Sequence, residues 1–516
     1  MGFALLAAAL LTGCGTLPPT VAPVPSRVLA SDPQSPLVQV AIRSTPEGGQ
    51  SGVRLMPLGI FSLEARIQLA ERAKTSLDLQ YYVIEDDATG RLLLRKMRDA
   101  ALRGVRIRLL VDDLYTTHTD DMLRALAAYP NVQVRLFNPF CCARDEGLAK
   151  RFAASIFDVG RLNHRMHNKL FIADGVMAVI GGRNIADEYF LRSPLQNFID
   201  VDAFVIGAAV TDMNTIFDTY WNSDVVRPIE TVGPPLQRPD AANAVFERRI
   251  NMSPIAAALD PPPVDVLGYG PIGEELESGQ LGLSWGVAHV FADPPDKLLS
   301  DSAATAFKTS VTKNVVMRIW EAESDLVITS PYLIPGKHGM KTLRDLAAKG
   351  VKATIVTNSL AATDEPLVHN GYAKYRPEIL AAGVDLYELS PTRTQHIRRL
   401  GMFGSSLGRL HAKTVVIDRK TVFIGSMNLD PRSASANTEF GMFIDNPAIA
   451  KELLRVVNIS KLQSAYRVRL NPNGAGLQWI SSDDDQEMVQ DVEPESSAWL
   501  RLHNAFFGWF VPEELL

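Results

Sequence analysis

The sequence is poor in cysteine, carries no surplus of positive charge, and shows no repeated apolar runs of membrane-spanning length. Its three cysteines are Cys14, Cys141 and Cys142. An adjacent pair is poorly placed for an ordinary structural disulfide, so no disulfide framework is indicated. Lys and Arg number 52 against 58 Asp and Glu, a formal net charge of -6. No global positive field is therefore available to gather polyanions, and nucleic acid is not an expected partner. No Walker loop, HExxH pair or dinucleotide fingerprint occurs, and neither a cofactor nor a metal is expected. What is present is ordinary globular composition, 46% apolar and 21% charged, in 516 residues. That length exceeds what one core usually holds and implies two domains or two fused halves.

The first residues read as an export signal. An apolar run over residues 3–11 leads into Leu11-Thr12-Gly13-Cys14, which resembles the bacterial lipobox cleaved just before its cysteine. On that reading residues 1–14 are a lipoprotein-type signal and Cys14 carries lipid. The protein is then membrane-associated, anchored at Cys14 and facing the periplasm. Met1-Gly2-Phe3 supplies no basic residue, so a true start upstream of Met1 and a plain hydrophobic anchor are the alternatives. Residues 15–50 are rich in Pro, Ser, Thr and Gly and read as a flexible tether.

Beyond the tether, apolar periodicity alternates between helical and strand spacing. A helix is expected over 61–74, a strand over 76–82, a helix over 90–103 and a strand over 105–112. A helix over 120–129 and a strand over 132–137 follow. Such alternation indicates α/β units around a substantially parallel sheet. The pattern then returns as strand 324–332, helix 341–349, strand 351–357, helix 372–382 and strand 384–389. Gly104-Val105 recurs as Gly350-Val351, and His167 as His411, at nearly constant offset, so the chain is a duplication. The halves are placed at 51–235 and 301–470. A connection of little regular structure spans 236–300, with Pro261-Pro262-Pro263 within it, and a tail spans 471–516.

Each half carries one chemical motif: His167-Asn-Lys169 with Asp174 and then Gly182 and Asn184, and His411-Ala-Lys413 with Asp418 and then Ser426 and Asn428. Residues two apart on a strand share a face, so each His and its Lys project together and can touch one phosphate. Asp174-Gly175 is a hairpin-turn signal, which leaves a structural and a chemical reading open for Asp174 and Asp418. With a two-residue loop, Gly182 falls opposite His167 and Ser426 opposite His411. These small residues then leave room for phosphate to approach the backbone, with Asn184 and Asn428 able to bind its oxygens. Asp200 or Glu439, on the strands that follow, is the alternative acid for holding each imidazole in one tautomer. A phosphodiester reaction needs a nucleophile, an acid for the leaving oxygen and positive charge for the nonbridging oxygens. Two His and two Lys supply all three.

These paired motifs resemble the phospholipase D superfamily over residues 55–470. A narrower likeness, to the cardiolipin synthase C family of bacteria, rests on Leu79-Gln80-Tyr81-Tyr82, on Arg135-Leu136-Phe137-Asn138-Pro139-Phe140, on the run from Arg161 to Lys169, and on Thr357-Asn358-Ser359-Leu360 with His369-Asn370. The resemblance implies two α/β/α sandwich halves of phospholipase D type that form one active site at their interface. It implies phosphatidyl transfer between membrane phospholipids, phosphatidylglycerol and in some cases phosphatidylethanolamine, without a metal. His167 is then the nucleophile that becomes a phosphohistidine, and His411 the acid. Hydrolytic phospholipase D, a nuclease and a non-catalytic binding module are the competing readings. Acidic composition speaks against the nuclease, and two intact His and Lys sets speak against the binding module. Aromatic residues over 499–511 fit either a lipid surface or packing on the body. Arg393, His396, Arg398 and Arg399 fit either anionic headgroups or a solvated loop.

Overall fold

The computed structural model describes residues 17, 24–46, 48–144, 146–232, 239–252, 261–300, 302–396, 406–483, 486–508, 511–513 and 516. Cys14, Arg398 and Arg399 lie outside them, as do Trp509 and Phe510.

In the first half, three parallel strands, Ser76–Tyr81, Arg106–Asp112 and Val132–Phe137, are linked by the helices Ala88–Leu102 and Asp120–Ala127. The antiparallel hairpin Leu170–Ala173 and Met177–Gly181 pairs against Ser76–Tyr81. Strand Asp202–Gly207 extends the sheet, and Ser51–Met56 follows it. The second half repeats this plan with Asp325–Thr329, Lys352–Asn358 and Asp385–Leu389 parallel, then Thr414–Ile417, Thr421–Gly425 and Phe440–Asp445 antiparallel. One apolar face of each sheet packs beneath its own outer helices, with Leu77, Leu79 and Tyr81 against Leu93 and Met97 in the first half. The inner faces share a single core, where Phe217 and Trp221 of helix Ala208–Trp221 and Leu453 of helix Pro447–Ser464 join residues from both halves. The duplicated α/β/α architecture follows directly from strands buried on both faces.

Several boundaries differ from the sequence reading. Residues 236–300 are not an idle connection. Helices Pro239–Asn251 and Ile272–Ser278 lie there, and strand Ser284–Ala292 pairs with Ser51–Met56 on one edge and Phe440–Asp445 on the other, making one continuous sheet of 18 strands among the described residues. Order also begins before residue 50. Ser26 and Val28 donate backbone N–H groups to Asn222 and Asp218, and helix Pro36–Ser44 buries Leu37 and Val40. The tail adds strands Leu477–Asp483 and Gln486–Gln490 to the sheet edge and a helix Ala498–Gly508. Cys141 and Cys142, read as poorly placed for a disulfide, are joined to each other in a bond that closes no further loop of chain. Among the described residues no helix is long and apolar enough to cross a membrane.

Candidate active site

Each motif lies just before the first strand of its hairpin, and each is held by the opposite half. His167 donates its backbone N–H to Thr438 O at 2.9 Å, and Thr438 donates back to Arg165 O. His411 donates to Ile199 O at 2.8 Å, beyond a short parallel ladder between Gln196–Ile199 and Leu407–Leu410. The chain preceding His167 is further fixed by Asp112, whose carboxylate accepts the Met166 N–H and pairs with Arg165.

The acids cross over as well. His167 Nδ1 lies 3.0 Å from Glu439 Oε2, and His411 Nδ1 lies 2.6 Å from Asp200 Oδ2. With a carboxylate on Nδ1, the neutral imidazole keeps its proton there and leaves the Nε2 lone pair free. Lys169 and Lys413 donate to the backbone carbonyls of His167 and His411, at 2.5 and 2.6 Å. All four side chains are nearly sealed, with His167 8% and His411 5% exposed. Burial, then the Lys169 charge, holds His167 down to about 4. Burial and Lys413 take His411 well below its ordinary value. Each lysine also depresses the other half's imidazole, so both motifs share one electrostatic site. Burial lowers Lys413 to about 8 and Lys169 well below the usual ammonium range.

The two acids are not equivalent. Burial raises the Asp200 carboxyl, only partly offset by Lys413 and Arg183. Burial acts the same way on Glu439, but His167, Lys169 and the Ser426 hydroxyl outweigh it and hold that carboxyl low. Ser426 and Ser433 each donate to one oxygen of Glu439. Gly182, the counterpart of Ser426, has a different use from the one expected. A methyl group there would collide with the Asp200 carboxylate, so the open space receives the acid rather than phosphate.

Of the two readings left open for Asp174 and Asp418, the structural one fits their contacts, and the chemical one, which would count them among the catalytic residues, does not. Asp174 accepts the backbone N–H groups of Lys74, Thr75 and Ser76 and the Ser35 hydroxyl. Asp418 accepts those of Glu323, Ser324 and Asp325. Both sit at positive φ, 50° and 51°, at the start of three-residue loops. Ala173 pairs with Met177, and Ile417 with Thr421. The two-residue loop inferred from Asp174-Gly175 is thus one residue too short, and the facing register it gave for Gly182 and Ser426 shifts with it.

Asn184 and Asn428 are buried beside the site, each with an amide oxygen that has no partner among the described residues; Asn184 donates its Nδ2 to Tyr189 Oη. Three aromatic rings flank the imidazoles: Tyr82 at 5.2 Å from His167, and Tyr189 and Phe198 at 5.0 and 4.9 Å from His411. Tyr189 and Phe198 carry no motif that sequence reasoning could have used. Of the residues over 499–511, Trp499, Leu502 and Phe506 are exposed.

Comparison with known proteins agrees with this geometry. The family described as "Cardiolipin synthase, PLD-like domain" matches residues 66–221 and 315–458, one copy in each half. Cardiolipin synthase C of Escherichia coli is 38% identical over 88% of this chain and 94% of its own length. An uncharacterized protein of Helicobacter pylori is 30% identical over 93% of each chain. The crystal structure of phosphatidylserine synthase from Haemophilus influenzae superposes with a TM-score of 0.56 at 13% identity, covering 90% of this chain and 95% of that one, and so shares the fold. The chain belongs to the phospholipase D superfamily, as an enzyme of the cardiolipin synthase-like family.

Proposed function

We propose that the protein transfers a phosphatidyl group from one membrane phospholipid to a hydroxyl of another, through a covalent phosphohistidine. The observation that carries this reading is the pair of exchanged acid–imidazole contacts, which present two Nε2 atoms and two ammonium groups to one buried site. His167 Nε2 attacks phosphorus, forming a P–N bond as the bond to the leaving oxygen breaks, and His411 donates its proton to that oxygen. The phosphate anion between Lys169 and Lys413 offsets the charges that keep His411 neutral in the empty site, so bound substrate itself raises the donor's proton affinity. In the second step neutral His411 takes the proton of an acceptor hydroxyl, whose oxygen displaces His167 and restores the starting state. The lysines and the amides of Asn184 and Asn428 bind the nonbridging oxygens.

Phosphatidylglycerol is the proposed acceptor and donor, with phosphatidylethanolamine a further donor. Similarity to a protein named cardiolipin synthase C supports transfer over hydrolysis. Purified protein incubated with labelled phosphatidylglycerol, with and without phosphatidylethanolamine, should yield cardiolipin. Phosphatidic acid as sole product would identify a hydrolase instead. Membrane association is proposed through lipid on Cys14, with the catalytic body on the periplasmic side. Loss of acyl labelling in a Cys14→Ser variant tests the anchor, and exposed Trp499, Leu502 and Phe506 suit contact with the headgroup region.

A further inference from the structure

The two imidazole-orienting acids are supported from behind by unlike devices, and neither device belongs to the duplicated motif. Behind Glu439 lies a fully buried ion pair, Asp293 and Lys297, delivered by the strand Ser284–Ala292 and the turn after it. Asp293 Oδ2 accepts the Glu439 N–H at 2.9 Å, and the Asp293 N–H donates to Glu439 O at 2.9 Å, so the two residues clamp each other through both backbone groups. Lys297 spends all three protons on this corner. It donates to Asp293 Oδ2 at 2.7 Å, to Ser433 O at 2.8 Å and to Asn437 O at 2.7 Å. It thereby ties down the short helix Pro431–Ser435, which carries Ser433, a hydrogen-bond donor to Glu439, and the turn after it, which carries Thr438, the acceptor of the His167 N–H. Asp293 Oδ1 takes the Val311 N–H, and Tyr220 of the first half donates to Asp293 O.

Behind Asp200 the same task falls to one cation, Arg183. Its guanidinium donates to the backbone carbonyls of Asp200, Tyr189, Met56 and Pro57. Met427 occupies the corresponding place in the second half. In both cases a buried cation grips the main chain around the acid and not the acid's carboxylate. A cation placed directly on that carboxylate would compete for it.

We infer that Asp293 and Lys297 are positioning residues for the His167 reaction, acting through Glu439, and that Arg183 is the separate positioning residue for His411, acting through Asp200. This rests on the proposed role of the two imidazoles but not on which lipid is the substrate. A buried ion pair is weak evidence of stability by itself, since well-packed neutral groups often replace one without loss. What assigns it this role is that Asp293 holds both backbone groups of Glu439 while Lys297 holds the residues flanking it.

The charged groups facing His167 are Lys169, Glu439 and Lys413, and those facing His411 are Lys413, Lys169, His167, Arg183 and Asp200. The variants leave all of these in place except Arg183. The test compares Asp293→Asn/Lys297→Met, a neutral pair of similar shape, with Arg183→Met, in the full-length protein labelled with ¹⁵N-histidine. NMR reads which ring nitrogen of His167 and of His411 holds the proton. Expected for the double variant is partial loss of the Nδ1–H form at His167 alone. Its kcat should fall roughly 10- to 100-fold with KM within about twofold, the scale of loss typical when a group that orients a reactive side chain is removed. Expected for Arg183→Met is the same change at His411 alone. A folded double variant with the wild-type His167 tautomer and kcat would overturn the inference, and so would equal disturbance of both histidines by either change. Should the double variant unfold, Lys297→Arg serves in its place, keeping the charge but unable to match all three acceptors, with the same two outcomes. The tautomer reading is independent of turnover, so a wrong substrate assignment would leave it intact.

Discussion

Asp200 lies in the first half of the chain, and its carboxylate holds the Nδ1 of His411 in the second, at 2.6 Å across 211 positions of sequence. Glu439 returns the favour to His167 across 272. Neither half contains both members of an acid–imidazole pair, because each lends the other its acid. The duplication is therefore bound together by chemistry as well as by the shared core.

Removing either acid should disable the partner half's histidine rather than its own. Asp200→Asn and Glu439→Gln each keep the shape but offer an amide that no longer selects the Nδ1–H tautomer. Each is expected to lower kcat by about 10² to 10⁴ with little change in KM, measured by steady-state kinetics on mixed micelles. A loss confined to KM would place these acids in binding instead.

Gly182→Ala should behave as a mild version of Asp200→Asn. The added methyl displaces the acid, so His411 loses its orienting contact while the phosphate-binding groups stay in place. A roughly 10- to 100-fold fall in kcat at unchanged thermal midpoint is expected. Wild-type kcat would show that the acid has room to shift.

Asp174 and Asp418 should matter for folding and not for turnover. Asp174→Ala strands three backbone N–H groups near the turn, at a cost of about 1–3 kcal/mol for a buried unsatisfied donor, and the folded fraction should retain wild-type kcat. Backbone N–H groups, that of Asp325 foremost, outweigh burial and hold the Asp418 carboxyl below its usual 3.8. A folded-state value below the unfolded one stabilises the fold above about pH 4 and ceases to do so as pH falls through the depressed value. Urea unfolding between pH 3 and pH 6 should therefore show a larger acid-side loss in wild type than in Asp418→Asn.

The hairpin-turn signal at Asp174-Gly175 was legible in sequence, as were the repeat, the parallel strands and the six motif residues. Loop length was not, because Asp418 and Arg419 adopt positive φ without glycine in the second copy, and one residue of loop moves every facing pair. Asp200 and Glu439 were legible as acids near the motifs, but their exchange between halves was not, since it arises from long-range packing that local spacing does not encode. Asp293 and Lys297 lay in a stretch read as a linker. Pro and Gly there suggested irregularity, and the strand Ser284–Ala292 is fixed by edge pairing to both halves rather than by strong alternation of its own. Tyr189 and Arg183 break the repeat symmetry, so comparing the copies could not reveal them.

Three groups shape the pH profile of the free enzyme. His411, the proton donor, is held neutral down to well below its ordinary value by burial and Lys413, so kcat/KM declines gradually above that lowered value through the proton it takes up with substrate. Two further groups bound the profile. The His167 imidazole must be neutral to attack, and its affinity for protons is lowered to about 4 by burial and Lys169, so kcat/KM should fall below that pH. Lys413, lowered to about 8 by burial, loses its charge above it, and phosphate binding should weaken there through KM. Lys413→Arg keeps the charge at higher pH and should move the alkaline limb upward while leaving the acid limb in place. An alkaline limb unmoved by that change would assign it to another group.

The most direct measurement is to trap the covalent intermediate. Wild-type protein and the His167→Ala and His411→Ala variants are mixed with phosphatidylglycerol labelled with ³²P in the phosphate, quenched in alkali, where phosphohistidine survives, and mapped by peptide mass spectrometry. Label on the peptide containing His167 in wild type, forming more slowly in His411→Ala, which lacks the acid of the first step, and absent in His167→Ala, is the predicted result. Label on His411 alone would reverse the assigned roles, and turnover in His167→Ala with no labelled histidine at all would contradict covalent transfer at this site.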